Sequence, residues 1–200
     1  MSDHAGRIVG IYQRHALAFD GARGKSLFER PWLERFKSLL PTDSAILDIG
    51  CGSGEPIARH FIEAGRAVTG IDASPPLIGL CTQRFPEQDW LVADMRSLAL
   101  GRRFGGLLAW DSFFHLTPED QRGMFAVFAA HAAPGAALMF TSGPSHGEAI
   151  GSFEGEPLYH GSLDPQEYRE LLDRSGFAVV SHVVEDPGCG GRTIWLARTR

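Results

Sequence analysis

The stretch "AILDIGCGSG" at 45–54 runs from an apolar strand pattern straight into Gly50, Gly52 and Gly54, and nothing else in the chain restricts its fold as tightly. One glycine ends a strand, and two make a tight turn. Three in alternation imply that something lies against the main chain, because only residues without a Cβ allow such an approach.

The pattern then recurs. Short apolar runs at 45–50, 67–72, 89–94, 104–110 and 136–142 predict strands, and the segments 56–64, 75–84 and 118–132 predict helices. This alternation specifies a doubly wound α/β fold, a mostly parallel sheet with helices on both faces. Ahead of it, Ile8, Ile11, Tyr12, His15 and Phe19 recur at helical spacing, which predicts one amphipathic helix over 4–20 and then a loop at 20–26. Pro31 suits the first turn of a second helix, which Pro41 ends.

Behind the fifth strand, "GPSHGEAIGSFEGEPLYHGS" is too long for an ordinary connection and reads as an insertion over 143–163. A helix at 165–175 follows, with Asp164 as its N-cap and Pro165 at its first position. The last two apolar segments, "FAVVSHVVED" and "RTIWLART", predict an antiparallel pair at the sheet edge. The expectation is a seven-stranded sheet in one domain over 1–200, with a helical cap at 1–40.

A net charge of −5, without a cluster of Lys or Arg, speaks against a nucleic-acid partner. The start, "MSDHAGRIVG", carries charges where a signal peptide has its apolar stretch, and no apolar run is long enough for a membrane span. Cys51, Cys81 and Cys189 lack metal-ligand spacing and read as free thiols of a reducing compartment. The expected setting is therefore cytoplasmic, without a bound metal, as a monomer or homodimer.

A helix start behind a parallel strand suits an anionic group, and dinucleotide enzymes place a pyrophosphate there with G-x-G-x-x-G. Here the spacing is G-x-G-x-G, and Glu55 stands where the last glycine would be, so a pyrophosphate would be repelled. Asp72, at the end of the second strand, can accept from both hydroxyls of a ribose. That feature suits an adenosine ligand of either kind and leaves an NAD(P)-dependent oxidoreductase as a rival reading.

The segment "ILDIGCGSG", with Asp48 two residues ahead of the first glycine, resembles the first motif of the class I S-adenosylmethionine (SAM) dependent methyltransferases. The resemblance covers roughly 30–200. It implies SAM as cofactor and S-adenosylhomocysteine (SAH) as product, with Asp48, Gly50, Cys51, Gly52 and Gly54 around the methionine portion. It further implies Asp72 and Ala73 at the ribose, Asp94 accepting from the adenine amino group, and the Met95 N–H meeting a ring nitrogen. Trp110 falls where the family contacts the methionine end. The N-terminal helix is similar to the family's cap, which makes Tyr12 and Arg23 candidates for the methionine carboxylate.

The resemblance implies an in-line displacement onto a small-molecule acceptor, which would enter between the N-terminal helix, "WDSFFHL" at 110–116 and the insertion. Asp111, His115, His146, Tyr159 and His160 are the polar groups there. His115 is the first candidate for a base, since imidazole titrates near neutral pH, although a plain role capping the helix at "TPED" is open to it too. Phe113 and Phe114 line an apolar pocket or merely pack. The Asp/Asn-Pro-Pro-Tyr/Phe motif of nucleobase amine methyltransferases is missing, since Ser112 and Phe113 stand where its prolines would be. A SAM- or SAH-binding protein without turnover is the other alternative.

Overall fold

The structure, a computed structural model, describes residues 4–200, and whatever was expected of residues 1–3 lies outside it. The first two helices, α1 (Ile8–Arg14) and α2 (Ala16–Ala22), meet at His15, whose backbone leaves the helical region at φ −109° and ψ 24°. The single helix expected over 4–20 is therefore broken, and the loop expected at 20–26 starts only after Ala22. The break falls where Glu156, from far along the chain, takes the His15 ring at 2.7 Å. Helix α3 (Arg30–Leu39) has Pro31 in its first turn and buries Trp32, Leu33 and Phe36.

The alternating part begins with β1 (Ile46–Ile49), α4 (Ile57–Glu63), β2 (Val68–Asp72), α5 (Pro75–Arg84) and β3 (Asp89–Val92). It continues with β4 (Phe104–Ala109), α6 (Pro118–His131) and β5 (Ala132–Ser142). The residues expected to form an insertion are a separate hairpin, β6 (Gly147–Phe153) and β7 (Glu156–Ser162). Its two-residue turn has Glu154 and Gly155 at φ 50° and 78°, the paired positive φ of a type I′ turn. Helix α7 (Pro165–Arg174), capped by the Asp164 side chain on the Gln166 N–H, leads into β8 (Phe177–Asp186) and β9 (Arg192–Thr199).

Seven strands form one sheet in the order β3-β2-β1-β4-β5-β9-β8. The first five are parallel, and β9 runs antiparallel to both β5 and β8. Strand periodicity divides the apolar side chains between two layers. Leu47, Ile49, Leu107, Leu138, Phe140 and Trp195 pack with the α6 and α7 side. Ile46, Leu108, Met139, Ile194 and Leu196 pack with α3 and α4. Each such buried side chain contributes roughly 1.5–3 kcal/mol. Among the described residues, no helix is long and apolar enough to cross a membrane.

Strand order reverses between β1 and β4, so the loops leaving these two strands diverge and open a crevice at their carboxyl ends. The glycine loop leaves β1 there, and "WDSFFHL" leaves β4 beside it. The cap helices and the hairpin close over the opening.

Candidate active site

Two adjoining cavities occupy the crevice. One, of about 330 Å³, lies against Ile8, Leu77, Asp72, Asp94, Met95 and Arg96. The other, of about 510 Å³, lies against Arg23, Asp48, Trp110, Phe114, Phe153, His160 and Arg192. Tyr12, Phe19, Gly50, Gly52, Asp111 and His115 line both. The two spaces thus meet where the loops after β1 and β4 come together under the cap.

The glycines have separate local reasons. Gly50, Gly52 and Gly54 all have positive φ, which a side chain would strain. A Cβ on Gly50 would overlap that of Ser112, whose hydroxyl donates to the Ile49 carbonyl at 2.7 Å. A Cβ on Gly52 would come within 3.0 Å of the Phe19 ring. Gly54 faces neither cavity: its bare Cα admits Phe85, Cys81 and Trp90. The expected contact from Gly54 is thus corrected to a packing role, while Gly50, Cys51 and Gly52 do border a cavity.

Asp72 shapes the same loop. Its Oδ2 accepts from the Gly52 N–H at 3.0 Å, and its Oδ1 accepts from the Ser74 N–H at 2.9 Å. Burial raises its pKa, against the pull of these backbone bonds. Asp48, buried at the end of β1, is pushed up to about 7 by burial and then by the charge of Asp72. Asp94 caps a short turn, where the Arg96 guanidinium holds it through Nε at 3.0 Å and Nη2 at 2.6 Å and lowers its pKa. Trp110 is buried beside the larger cavity, and its indole N–H has no partner among the described residues.

His115 sits at the meeting point. Its Nδ1 is 2.8 Å from the Tyr159 carbonyl, which only accepts, so the proton is on Nδ1. Burial first of all lowers its pKa to about 4, so the ring is neutral near pH 7 and Nε2 is an acceptor. Tyr12 donates its hydroxyl to that Nε2 at 3.0 Å. The Tyr12 phenol is itself held well above its ordinary range, by burial and then by Asp111 and Asp72. His115 does not cap α6; the Thr117 side chain does so, on the Asp120 N–H.

The remaining expected residues divide. Asp111, at φ 49°, is gripped by Arg192 through Nε at 2.9 Å and Nη2 at 2.7 Å. Arg23 pairs with the fully buried Glu29. His160 faces the larger cavity, and burial lowers its pKa. Two expectations fail. His146 is exposed and borders neither cavity. The Tyr159 side chain turns to Glu148, at 2.9 Å, because neighbouring residues on β7 point to opposite faces. Only its carbonyl serves the site.

Arg192, Phe19, Phe153 and Glu29 were not foreseen. Arg192 opens β9, the strand between β5 and β8, and meets Asp111 across 81 residues of sequence, so no local pattern announces it. Phe153 had a usable signal, the Glu154–Gly155 turn between two short segments. Among the described residues, no group of three or more His, Cys, Asp or Glu could hold a metal ion.

Residues 46–135 match the family model described as a methyltransferase domain. A dTDP-3-amino-3,4,6-trideoxy-alpha-D-glucopyranose N,N-dimethyltransferase of Streptomyces venezuelae is 30% identical over 105 residues, 52% of this chain and 44% of that protein. A dTDP-4-amino-2,3,4,6-tetradeoxy-D-glucose N,N-dimethyltransferase of Saccharopolyspora spinosa is 25% identical over 156 residues, 76% of this chain and 62% of that protein. The chain therefore spans less than two thirds of either relative. Among solved structures, the 1,6-didemethyltoxoflavin-N1-methyltransferase of Burkholderia thailandensis superposes with a TM-score of 0.77 at 21% identity, covering 98% of this chain and 89% of that one. At that identity the likeness establishes the fold.

Proposed function

We propose that this chain, which has the class I SAM-dependent methyltransferase fold and carries a methyltransferase domain over residues 46–135, transfers a methyl group from SAM to a small-molecule acceptor. One observation carries the reading: two cavities, one bordered by Asp72 and Asp94, meet at Gly50, Gly52, Asp111 and His115. The adenosine would lie in the smaller cavity and the methionine end would cross the shared wall into the larger one, where the acceptor would meet the methyl group.

The donor set suits this cofactor. Asp72, Asp94, Asp111 and Asp120 against Arg96 give the smaller cavity an acidic lining, which suits a sulfonium cation better than a pyrophosphate. Asp72 and Ala73 would hold the ribose, and Asp94 with the Met95 N–H the adenine. The main chain of Gly50, Cys51 and Gly52, with Trp110, Tyr12 and Arg23, would hold the methionine end. When bound, SAM supplies an electrophilic methyl group that leaves its sulfur as the acceptor's lone pair attacks.

The protein's share is alignment, exclusion of water and removal of any proton on the acceptor. His115 suits the last task at Nε2, which the Tyr159 carbonyl keeps free of a proton and which the acceptor would take over from the Tyr12 hydroxyl. His160 and Asp111 would face the acceptor. That the two relatives are named for small amino-sugar substrates supports an acceptor of small size.

Thermal unfolding with SAM, SAH or NAD added separately tests the reading, since a ligand that binds the native state raises its stability. Stabilisation by SAM and SAH alone is expected. Stabilisation by NAD alone, or by none of the three, would overturn it.

A further inference from the structure

The larger cavity is built of rings. Phe114, His115 and His160 stand within 4.8–5.1 Å of one another, centroid to centroid. Above them, Phe153 on the hairpin lies 6.0 Å from Tyr12 and 6.4 Å from Phe19 on the cap helices. Tyr12 and His115, 5.5 Å apart, link the two groups. All six border the cavity.

Most polar groups on these walls are already committed. Arg192 holds Asp111, Arg23 holds Glu29, Arg59 holds Glu55 at 2.5 Å, and Tyr12 holds His115. Asp48 lines this cavity beside the glycine loop, where the methionine end of the cofactor is assigned. What is left for an acceptor is small: the His160 ring nitrogens and the Ser152 hydroxyl.

From this balance we infer that the acceptor is a flat aromatic molecule with a few polar atoms on its edge, an inference that rests on the methyltransferase reading above. Ring faces at these spacings favour offset or edge-on contact with another π system. A polyhydroxylated sugar would bury hydroxyls against walls that offer them few partners, and unpaired buried hydroxyls are penalised. Phe153 is the specificity-determining residue, since the hairpin brings it from outside the sheet to form the roof.

The test starts with SAH binding by calorimetry. Failure there removes the methyltransferase reading itself. On the SAH-loaded protein, ligand-observed NMR titrations then compare flat fragments (7-hydroxycoumarin, 4-hydroxyquinoline, 5-hydroxyindole) with saturated ones (glucosamine, myo-inositol). Saturable binding of flat fragments is expected, weakened about tenfold in Phe153→Ala and in Phe114→Ala as stacking area is lost, while SAH affinity stays within about twofold. Three results would each overturn the inference: binding by the saturated fragments in place of the flat ones, no binding by any flat fragment, or flat-fragment binding unchanged in both variants.

Discussion

Tyr12 donates its hydroxyl to Nε2 of His115 across 3.0 Å, although 103 residues separate the two in sequence. With the Tyr159 carbonyl on Nδ1, the imidazole is fixed in one tautomer and orientation. Its depressed pKa links the site to stability. Between pH 4 and 6.5 the unfolded chain binds a proton at His115 that the folded chain refuses, so this residue adds stability as pH rises through that window. Its contribution is complete above about 6.5 and is lost as pH falls to about 4.

Asp48 acts in the opposite sense. Its folded pKa is raised to about 7, so the folded chain holds a proton there that the unfolded chain gives up, and its contribution is lost as pH rises toward 7. Asp72, also raised, adds to this slope. Urea unfolding at pH 4.5 and 7.5 should therefore show a modest net change in the wild type. Asp48→Asn should uncover a rise with pH on the order of 3 kcal/mol from His115. His115→Gln should uncover a fall. Parallel profiles for all three proteins would refute the assignment.

Asp72→Ala should weaken SAM binding by about 1.5–3 kcal/mol, the range for hydrogen bonds to a charged group. It also frees the N–H groups of Gly52 and Ser74, so amide exchange in the glycine loop should speed up at the same time. Calorimetry and hydrogen exchange read the two effects separately. Unchanged affinity would show that the carboxylate does not meet the ribose.

Gly50→Ala should cost about 1–3 kcal/mol for the positive φ and a similar amount for overlap with Ser112. Adding Ser112→Gly removes the overlap but not the strain, so denaturant unfolding should show partial recovery. Full recovery would mean that the backbone of the loop carries no strain of its own.

The hairpin is clasped to the cap by Glu156, which meets Arg14 at 2.5 Å and His15 at 2.7 Å. This exposed ion pair is screened by solvent and salt, so Glu156→Gln should leave the global melting temperature nearly unchanged. Limited proteolysis between β6 and β7 should nevertheless become faster, as it should for the wild type in high salt. Equal cleavage rates in both proteins would show that Phe153 alone holds the roof.

The sequence by itself determined the sheet and the loops that border the crevice. Alternation of apolar runs with helical periods set β1 to β5 in place, and Pro75, Pro118 and Pro165 start their helices in the first turn. These are local preferences, legible within ten residues of chain. Only the tertiary structure decided which side chains meet over the crevice. Tyr12 with His115, Asp111 with Arg192, and Glu156 with Arg14 are pairings over 81 to 142 residues, made by sheet order and by the docking of the hairpin. Tyr159 and His160 make the distinction plain: adjacent in sequence and alike in chemistry, they point to opposite faces of one strand. The hairpin's register decides which of them reaches the cavity.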